Sequence, residues 1–191
     1  MKNLIFLTLI ILCSANVNAQ KKIHYGIKGG FNLTNLTSDY FAENNTKTGY
    51  YLGGLIEFSM SKKFSIQPEI LYTNQGTNAK VIMLGSEPKS QKYSLDYLQF
   101  PILSKIYLLQ NFSIEIGPSF NFLVNDNISD YESKLLNNFE FGGAFGISYK
   151  LNNSLFSNIK YNQGFTNVFD KENYLSSSKL YGFHLGIGYM F

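Results

Sequence analysis

Apolar and polar residues alternate with a period of two along most of the chain. In residues 112–124, Phe112 and Ile114 fall on one face, whereas Ser113 and Glu115 fall on the other. Because successive side chains of a strand point to opposite faces, this alternation predicts strands with one apolar and one polar face. The predicted strands are residues 23–33, 50–60, 64–72, 98–106, 112–124, 139–149, 155–165 and 181–191.

The connections between these strands alternate in length. Residues 35–47, 76–91, 125–137 and 167–178 form long polar connections, whereas residues 61–62, 108–111 and 151–154 form short ones. An even strand number with this alternation is typical of bacterial outer-membrane barrels, and each segment can supply the ~9–11 residues that a tilted membrane strand needs. We therefore predict an all-β fold, an eight-stranded antiparallel up-and-down transmembrane barrel with four long outer loops, three short periplasmic turns and both termini in the periplasm.

One stretch departs from the regular phase. Tyr93, Leu95 and Tyr97 place apolar residues at odd positions, whereas the apolar face from Leu98 onward lies at even positions. A change of phase within a strand indicates an inserted residue, so a β-bulge is predicted near Asp96.

The polar face is predicted to line the barrel interior. It is rich in glycine, which weakens a solvated strand but makes room inside a narrow barrel. It carries four lysines and four glutamates, so each buried charge can have an opposite partner, as burial requires. The apolar face carries almost no charge. The predicted interior charges are Lys28, Glu57, Glu69, Lys105, Glu115, Glu140, Lys150 and Lys160. The alternative is a soluble, periplasmic lipocalin-like carrier with the apolar face inside.

Composition narrows the function classes. Of the 191 residues, 16% are aromatic and 15% are charged, and the net charge is +3. All 16 basic residues are lysines, which lack the forked guanidinium suited to phosphate, so no nucleic-acid partner is expected. A single cysteine excludes an internal disulfide framework.

The first 19 residues resemble an address rather than a part of the fold. A basic start is followed by the apolar run 4–12 and by small residues up to Ala19. This pattern predicts a secretory signal peptide, residues 1–19, and a barrel domain, residues 20–191. Cys13 raises a lipoprotein alternative, but Leu12 stands where a lipoprotein signal has a small residue.

Few residues carry candidate chemistry. His24 and His184 are predicted to point inward from neighbouring strands, but no third ligand accompanies them. The inward glutamates could serve as acid and base, although four inward lysines favour structural ion pairs. The oxygen-rich segment 125–130 lacks the glycine and the closing glutamate of a calcium loop. We therefore predict no catalytic, cofactor-binding or metal site and no enzyme activity.

The segment Tyr97-Leu98-Gln99-Phe100-Pro101, completed by Lys105, resembles the strand 4 motif of the PorT-like outer-membrane β-barrel proteins, a family common in the Bacteroidota. Weaker similarities lie at 26–32, 67–69 and 117–118. The family usually has Glu at the position of Gln99. The family's inward acid at that position is therefore not carried over to this chain. The resemblance implies an outer-membrane location and a β-barrel, and little about activity.

The chain ends on Tyr189 and Phe191, which resemble the C-terminal signal that barrel-assembly machinery recognises on an extended strand. Lys80, Lys89 and Lys92 could contact acidic lipopolysaccharide from the second outer loop.

Because eight strands enclose little more than side chains, the leading hypothesis is a plugged, non-enzymatic barrel that acts through its loops and rim in envelope structure, interaction or secretion. The alternatives are a small-solute channel, an outer-membrane lipid or peptide enzyme, and the lipocalin-like carrier.

Overall fold

A computed structural model describes residues 22–38, 43–81, 89–128, 133–169 and 177–191. Eight antiparallel strands pair in sequence order, and the last pairs with the first to close a barrel. The predicted all-β fold, a closed eight-stranded antiparallel up-and-down barrel, is confirmed. The strands are β1 (Lys22–Ser38), β2 (Glu43–Ser59), β3 (Phe64–Val81), β4 (Lys89–Tyr107), β5 (Phe112–Asp126), β6 (Phe139–Lys150), β7 (Leu155–Gly164) and β8 (Ser178–Met190).

The three short connections are tight turns at one end of the barrel. In each turn the first backbone N–H bonds to the carbonyl that opens the next strand: Met60 to Phe64, Leu108 to Phe112 and Leu151 to Leu155, at 2.9–3.0 Å. The starting residue of β1 and the chain end lie at this same end. We call it the short-turn end and the opposite one the long-loop end.

The strands reach further toward the long-loop end than the apolar pattern predicts. β3 and β4 pair in one constant register from Phe64 opposite Ile106 to Val81 opposite Lys89. Much of the predicted loop 76–91 is therefore ladder. Threonine and asparagine side chains replace the apolar residues here, so backbone pairing continues where the hydrophobic pattern stops.

The register irregularity predicted near Asp96 is present, but its cause is different. Asp96 pairs with Asn125 and Tyr97 pairs with Leu123, so Val124 of β5 is the extra residue. β4 keeps a single phase, with Tyr93, Leu95 and Tyr97 buried inside the barrel. The apparent change of phase arises because these apolar residues form an internal core.

The outward face is apolar from the short-turn end through the middle of the barrel, whereas the outward positions of β3 and β4 nearer the long-loop end are polar, as at Asn74, Asn78 and Lys92. The large apolar side chains of this face are exposed on the outside of the barrel, as is expected of a surface that lipid covers. Tyrosines lie toward both ends of this face, where aromatic girdles occur. Representative members are Tyr25, Ile27, Phe31, Tyr50, Leu52, Ile70, Tyr72, Ile102, Ile116, Phe145, Tyr149, Ile159, Phe183, Leu185, Ile187 and Tyr189.

In the described ranges, no helix has the length and hydropathy needed to span a bilayer. The predicted signal peptide, residues 1–19, lies outside the described residues.

Candidate functional site

The lumen of the barrel is crossed by a buried ion-pair node. Glu69 on β3 receives Lys28 of β1 at 2.5 Å on Oε1 and Lys160 of β7 at 2.8 Å on Oε2. β3 and β7 lie on opposite walls of an eight-stranded ring, so the Lys160–Glu69 pair spans the interior. All three side chains are essentially inaccessible to solvent.

A second node lies nearer the short-turn end. Lys105 on β4 lies 3.5 Å from a carboxylate oxygen of Glu57 and 3.4 Å from one of Glu115. Gln67 joins the two nodes, because its amide nitrogen donates to Glu69 at 2.7 Å and its oxygen accepts from Lys105 at 3.2 Å. Sequence reasoning missed Gln67, although its inward position beside Glu69 was visible in the alternation.

Glu57 is held by neutral groups as well as by Lys105. Its Oε1 accepts the Tyr107 hydroxyl at 2.5 Å and the Ser65 hydroxyl at 2.8 Å. With these bonds the carboxylate has partners on both oxygens, as a buried charge requires.

Two of the eight predicted interior charges stay outside these nodes. Glu140 and Lys150 both lie on β6, ten residues apart, or roughly 33 Å along a strand, and cannot pair. The balance of four lysines and four glutamates therefore resolves into three against three at the centre. Glu140 accepts from Asn121 at 2.9 Å, and Lys150 lies at the short-turn end with its ammonium 4.7 Å from the ring centroid of Tyr107.

Glu140 faces a small polar cavity near the long-loop end. The cavity measures about 10 Å³ and is lined in part by Gln75, Gln99 and Asn162. Within the described part of the chain, Glu140 Oε2, Gln75 Nε2 and Asn162 Nδ2 have no hydrogen-bond partner. The volume and the polar lining match one buried water molecule.

The two histidines are not brought together. His184 on β8 is fully buried and lies opposite Asn32 of β1, eight residues from His24, or roughly 26 Å along that strand. Its ring stacks on Tyr51 at 5.1 Å between centroids. His24 lies half-buried at the short-turn end. No shared metal or proton-transfer site results from the pair.

Glycines on β8 make room for large side chains from other strands. The Tyr51 hydroxyl lies against Gly186, and the Phe156 ring lies against Gly188, so closely that a β-carbon at either glycine would collide with them. Tyr51 then reaches across to Asn158 on β7, with 3.3 Å between the hydroxyl and Oδ1. The predicted role of inward glycine as space for bulky neighbours therefore holds at these positions.

An apolar plug closes the long-loop end. Leu136 and Phe169, from the third and fourth long connections, form an antiparallel bridge over the mouth. Beneath them Tyr93, Leu95 and Tyr97 pack into one buried cluster. The alternation identified these three residues but assigned them to a bulge. The cluster is completed by Leu36, Ala79, Val168 and Leu180.

The strand 4 motif lines this interior. Tyr97, Gln99, Pro101 and Lys105 are buried inside the barrel. Leu98 and Phe100 alternate with them and face outward, where the Phe100 ring lies edge-on to Phe122 at 5.8 Å. Gln99, the position that departs from the family's usual Glu, borders the small polar cavity rather than an ion-pair node.

The described part of the oxygen-rich segment, residues 125–128, is engaged in local structure, and residues 129–130 lie outside the described residues. The Asn125 amide donates to Asp96 at 3.1 Å. Asp126 accepts the backbone N–H of Ile128 at 3.2 Å and the Ser133 hydroxyl at 2.8 Å. Its oxygens thus order the loop. Across the described ranges, no group of three His, Cys, Asp or Glu side chains converges as a metal site.

The chain end closes the seam of the barrel. The Phe191 N–H donates to the Tyr25 carbonyl at 2.8 Å, and the Tyr189 and Phe191 rings meet edge to face at 5.4 Å. Both rings are exposed on the outward face. Lys92 is exposed near the long-loop end, whereas the side chains of Lys80 and Lys89 lie outside the described part.

Solved structures superpose on this barrel over most of their length. Neisserial surface protein A superposes with a TM-score of 0.58 at 10% identity, over 87% of this chain and 97% of that one. OprG from Pseudomonas aeruginosa superposes with a TM-score of 0.52 at 13% identity, over 90% of this chain and 97% of that one. These identities show a shared fold only. No curated protein sequence matches the chain significantly.

The sequence profile of the family described as "Outer membrane protein beta-barrel domain" matches residues 16–170, well over half of the chain. This match agrees with the closed ring of eight strands and its apolar outward face. The chain belongs to the outer membrane protein beta-barrel domain family and is an integral outer-membrane β-barrel protein.

Proposed function

We propose that this protein is a non-enzymatic barrel that acts through its long loops and rim, in envelope structure, interaction or assistance to secretion. The observation that carries this proposal is the plugged lumen. The Glu69–Lys160 pair bridges opposite walls, and the apolar cluster beneath Leu136 and Phe169 fills the long-loop end. A lumen that is filled at its centre and plugged at its long-loop end leaves the long loops and the rim as the surfaces that can meet a partner outside the barrel.

The filled interior argues against a small-solute channel. A passage would require the Lys28–Glu69–Lys160 node to open, exposing two lysines and a carboxylate that are paired across the lumen. Purified protein in planar bilayers is expected to leave the current at the protein-free baseline. Reproducible stepwise conductance that is absent from a mock preparation would show that the protein is a channel and would contradict the plugged barrel.

The proposed orientation places the short turns and both termini in the periplasm, with the long loops outside the cell. The long-loop and short-turn pattern supports it, since outer-membrane barrels have short periplasmic turns. The predicted barrel domain, residues 20–191, has no cysteine, so single cysteines report position cleanly. On intact cells, a membrane-impermeant maleimide should label Asn127→Cys and spare Asn152→Cys. The reverse labelling would invert the orientation.

We further infer a PorT-like branch of the family, of the kind found in Bacteroidota. The support is the strand 4 motif Tyr97 to Lys105, whose alternate residues line the lumen.

Proposed partners are outer-membrane lipid and lipopolysaccharide, the barrel-assembly machinery acting on Tyr189 and Phe191 during insertion, and an envelope or secretion protein at the loops. Crosslinking from Asn127→Cys in intact cells, compared with Asn152→Cys, tests whether a protein contacts the loops.

A further inference from the structure

The short-turn end of the lumen opens into a cavity of about 860 Å³. All three short turns and the adjoining strand ends contribute to its lining. The volume falls within the ~300–1,000 Å³ of small-molecule sites. This space contrasts with the filled centre and the plugged long-loop end of the same barrel.

The cavity wall is strongly basic. Among the described residues that line it, four are lysines and one, Glu57, is an acid. Glu57 is already engaged by Lys105, Tyr107 and Ser65. Even when Glu115, the second acid on Lys105, is counted, two positive charges stay unbalanced. The lysines are Lys62, Lys63, Lys105 and Lys150.

Lys150 gives this charge a defined position. Its side chain is half-buried, and within the described part of the chain no carboxylate lies within 4.0 Å of its ammonium, in contrast to Lys28, Lys105 and Lys160. The ammonium lies over the Tyr107 ring, 4.7 Å from the centroid. Glu57 acts on this ammonium from a distance, but a partly desolvated ammonium with no carboxylate in contact still favours an anion beside it.

Most of the surface of the wall is apolar, although serine, asparagine and glutamine side chains of the turns also line it. Met60, Leu155, Phe156 and Met190 contribute to it, and the Phe156 ring also lies 5.5 Å from the Lys105 ammonium. Apolar walls with a few convergent polar groups suit a ligand that has an apolar body and one charged head.

We propose that the short-turn cavity binds an anionic amphiphile, that is, a carboxylate or phosphate joined to a short apolar body. The anionic head lies at Lys150, with Lys62, Lys63 and Lys105 adding positive potential. The apolar body packs against Phe156 and Met190. The site is at the opposite end from the long loops, so it goes beyond the proposed loop function and stands or fails independently of it.

The test uses the two methionines in the wall as reporters. The protein is labelled with ¹³C at methionine methyls, folded into phosphatidylcholine nanodiscs and titrated with hexyl phosphate, with signals assigned by Met60→Leu and Met190→Leu. We expect saturable shifts of both methyl signals, with a Kd below about 1 mM. Hexanol, which lacks the charge, should give no saturable shift.

The matched variants are Lys150→Gln and Lys134→Gln, which remove the same charge at the cavity and at an exposed site on the long-loop side. We expect Lys150→Gln to weaken binding by roughly tenfold or more, and Lys134→Gln to bind as the wild type. Retained heat-modifiable mobility shows that both variants fold. Equal affinity of Lys150→Gln and the wild type, or the absence of a saturable shift in the wild type, would overturn the proposal.

The source of the anion is settled by a second bilayer. If an anionic lipid headgroup fills the cavity, nanodiscs containing phosphatidylglycerol will shift the methyl signals before any titration, and Lys150→Gln will abolish that offset. If the ligand is a free anion, the two bilayers will give the same starting signals and the hexyl phosphate response will persist. Either result supports the same anion chemistry at Lys150.

Discussion

At the residue scale, one carboxylate organises the interior. Glu69 receives two ammonium groups on its two oxygens, from strands on different walls, and a third donor from Gln67. Removing water from such charges costs several kcal/mol per ion, which only close pairing offsets. The node therefore ties β1, β3 and β7 together and fixes how they face one another, and its stability depends on all three charges being present.

Loss of the Glu69 charge alone should destabilise the barrel strongly. Glu69→Gln leaves Lys28 and Lys160 buried without their counterion, so we expect a loss of about 3–5 kcal/mol in the free energy of unfolding. The measurement is urea unfolding in lipid vesicles, followed by the mobility difference between folded and unfolded protein on gels. Lys134→Met, at an exposed position, should stay within about 0.5 kcal/mol of the wild type.

A triple variant distinguishes the effect of an unpaired buried charge from the effect of lost side-chain volume. Lys28→Met, Glu69→Leu and Lys160→Met together remove every charge of the node while keeping much of its volume. We expect this variant to recover most of the stability that Glu69→Gln loses, because buried ion pairs are replaceable by packed apolar groups. If Glu69→Gln unfolds at the wild-type urea concentration, the node contributes nothing to stability.

The alternation predicted which charges face inward, since strand geometry alone decides that. It did not predict their partners. A lysine side chain reaches across a narrow lumen, so Lys160 pairs with a strand far from its own in sequence. Glu140 and Lys150 show why equal numbers of lysines and glutamates do not predict ion pairs. The two residues lie far apart on the same strand and cannot meet. Gln67 was missed as the link because a neutral amide leaves no trace in a charge balance.

At the element scale, β8 shows how small and large residues share the lumen. Gly186 and Gly188 face inward on β8 where Tyr51 and Phe156 project from other strands. Space for those rings exists only if β8 lacks side chains at these two positions. Glycine is thus required here by close approach, whereas a β-carbon at Gly54 on the outward face would have its nearest neighbour, the Gly26 carbonyl oxygen, at 3.7 Å.

This difference predicts opposite outcomes for two glycine substitutions. In Gly186→Ala the new methyl group would meet the Tyr51 hydroxyl and lie 2.6 Å from the Gly29 carbonyl oxygen, so we expect a loss of about 1–3 kcal/mol. Gly54→Ala should be neutral or stabilise by up to about 1 kcal/mol, since it lowers the entropy of the unfolded chain without a clash. Urea unfolding in vesicles measures both, and equal stabilities would contradict the packing described for β8.

Strand identity was predictable from sequence, but strand ends were not. Apolar alternation stops near Tyr72, whereas β3 continues to Val81 because its backbone goes on pairing with β4. The extra residue Val124 on β5 was likewise invisible, since a bulge is a property of two paired strands rather than one. The apolar plug was hidden for a related reason, because the residues that cover Tyr93 and Leu95 come from distant loops.

At the scale of the whole molecule, the barrel has the reverse of a soluble protein's distribution of residues. Lysines and glutamates lie at the centre, and leucine, isoleucine and phenylalanine cover the outside. The fold class and the assignment of faces followed from the alternation together with the loop lengths. The inward glycines would weaken the strands on a solvated face, and the outward apolar residues would be unfavourable against water, so both patterns favour lipid outside.

Lipid outside the barrel predicts that depth, not exposure, sets the effect of a surface charge. Leu185 is 41% exposed and lies on β8 between Tyr181 and Tyr189, whereas Leu151 is 56% exposed in a short turn. Leu185→Lys places an ammonium in the hydrocarbon and should cost roughly 2–4 kcal/mol. Leu151→Lys places it in or near water and should change the free energy of unfolding by less than about 0.5 kcal/mol. Urea unfolding in vesicles compares the two directly. In detergent micelles with thinner apolar belts the gap should narrow, and two equally small effects in the bilayer would mean that β8 does not face lipid.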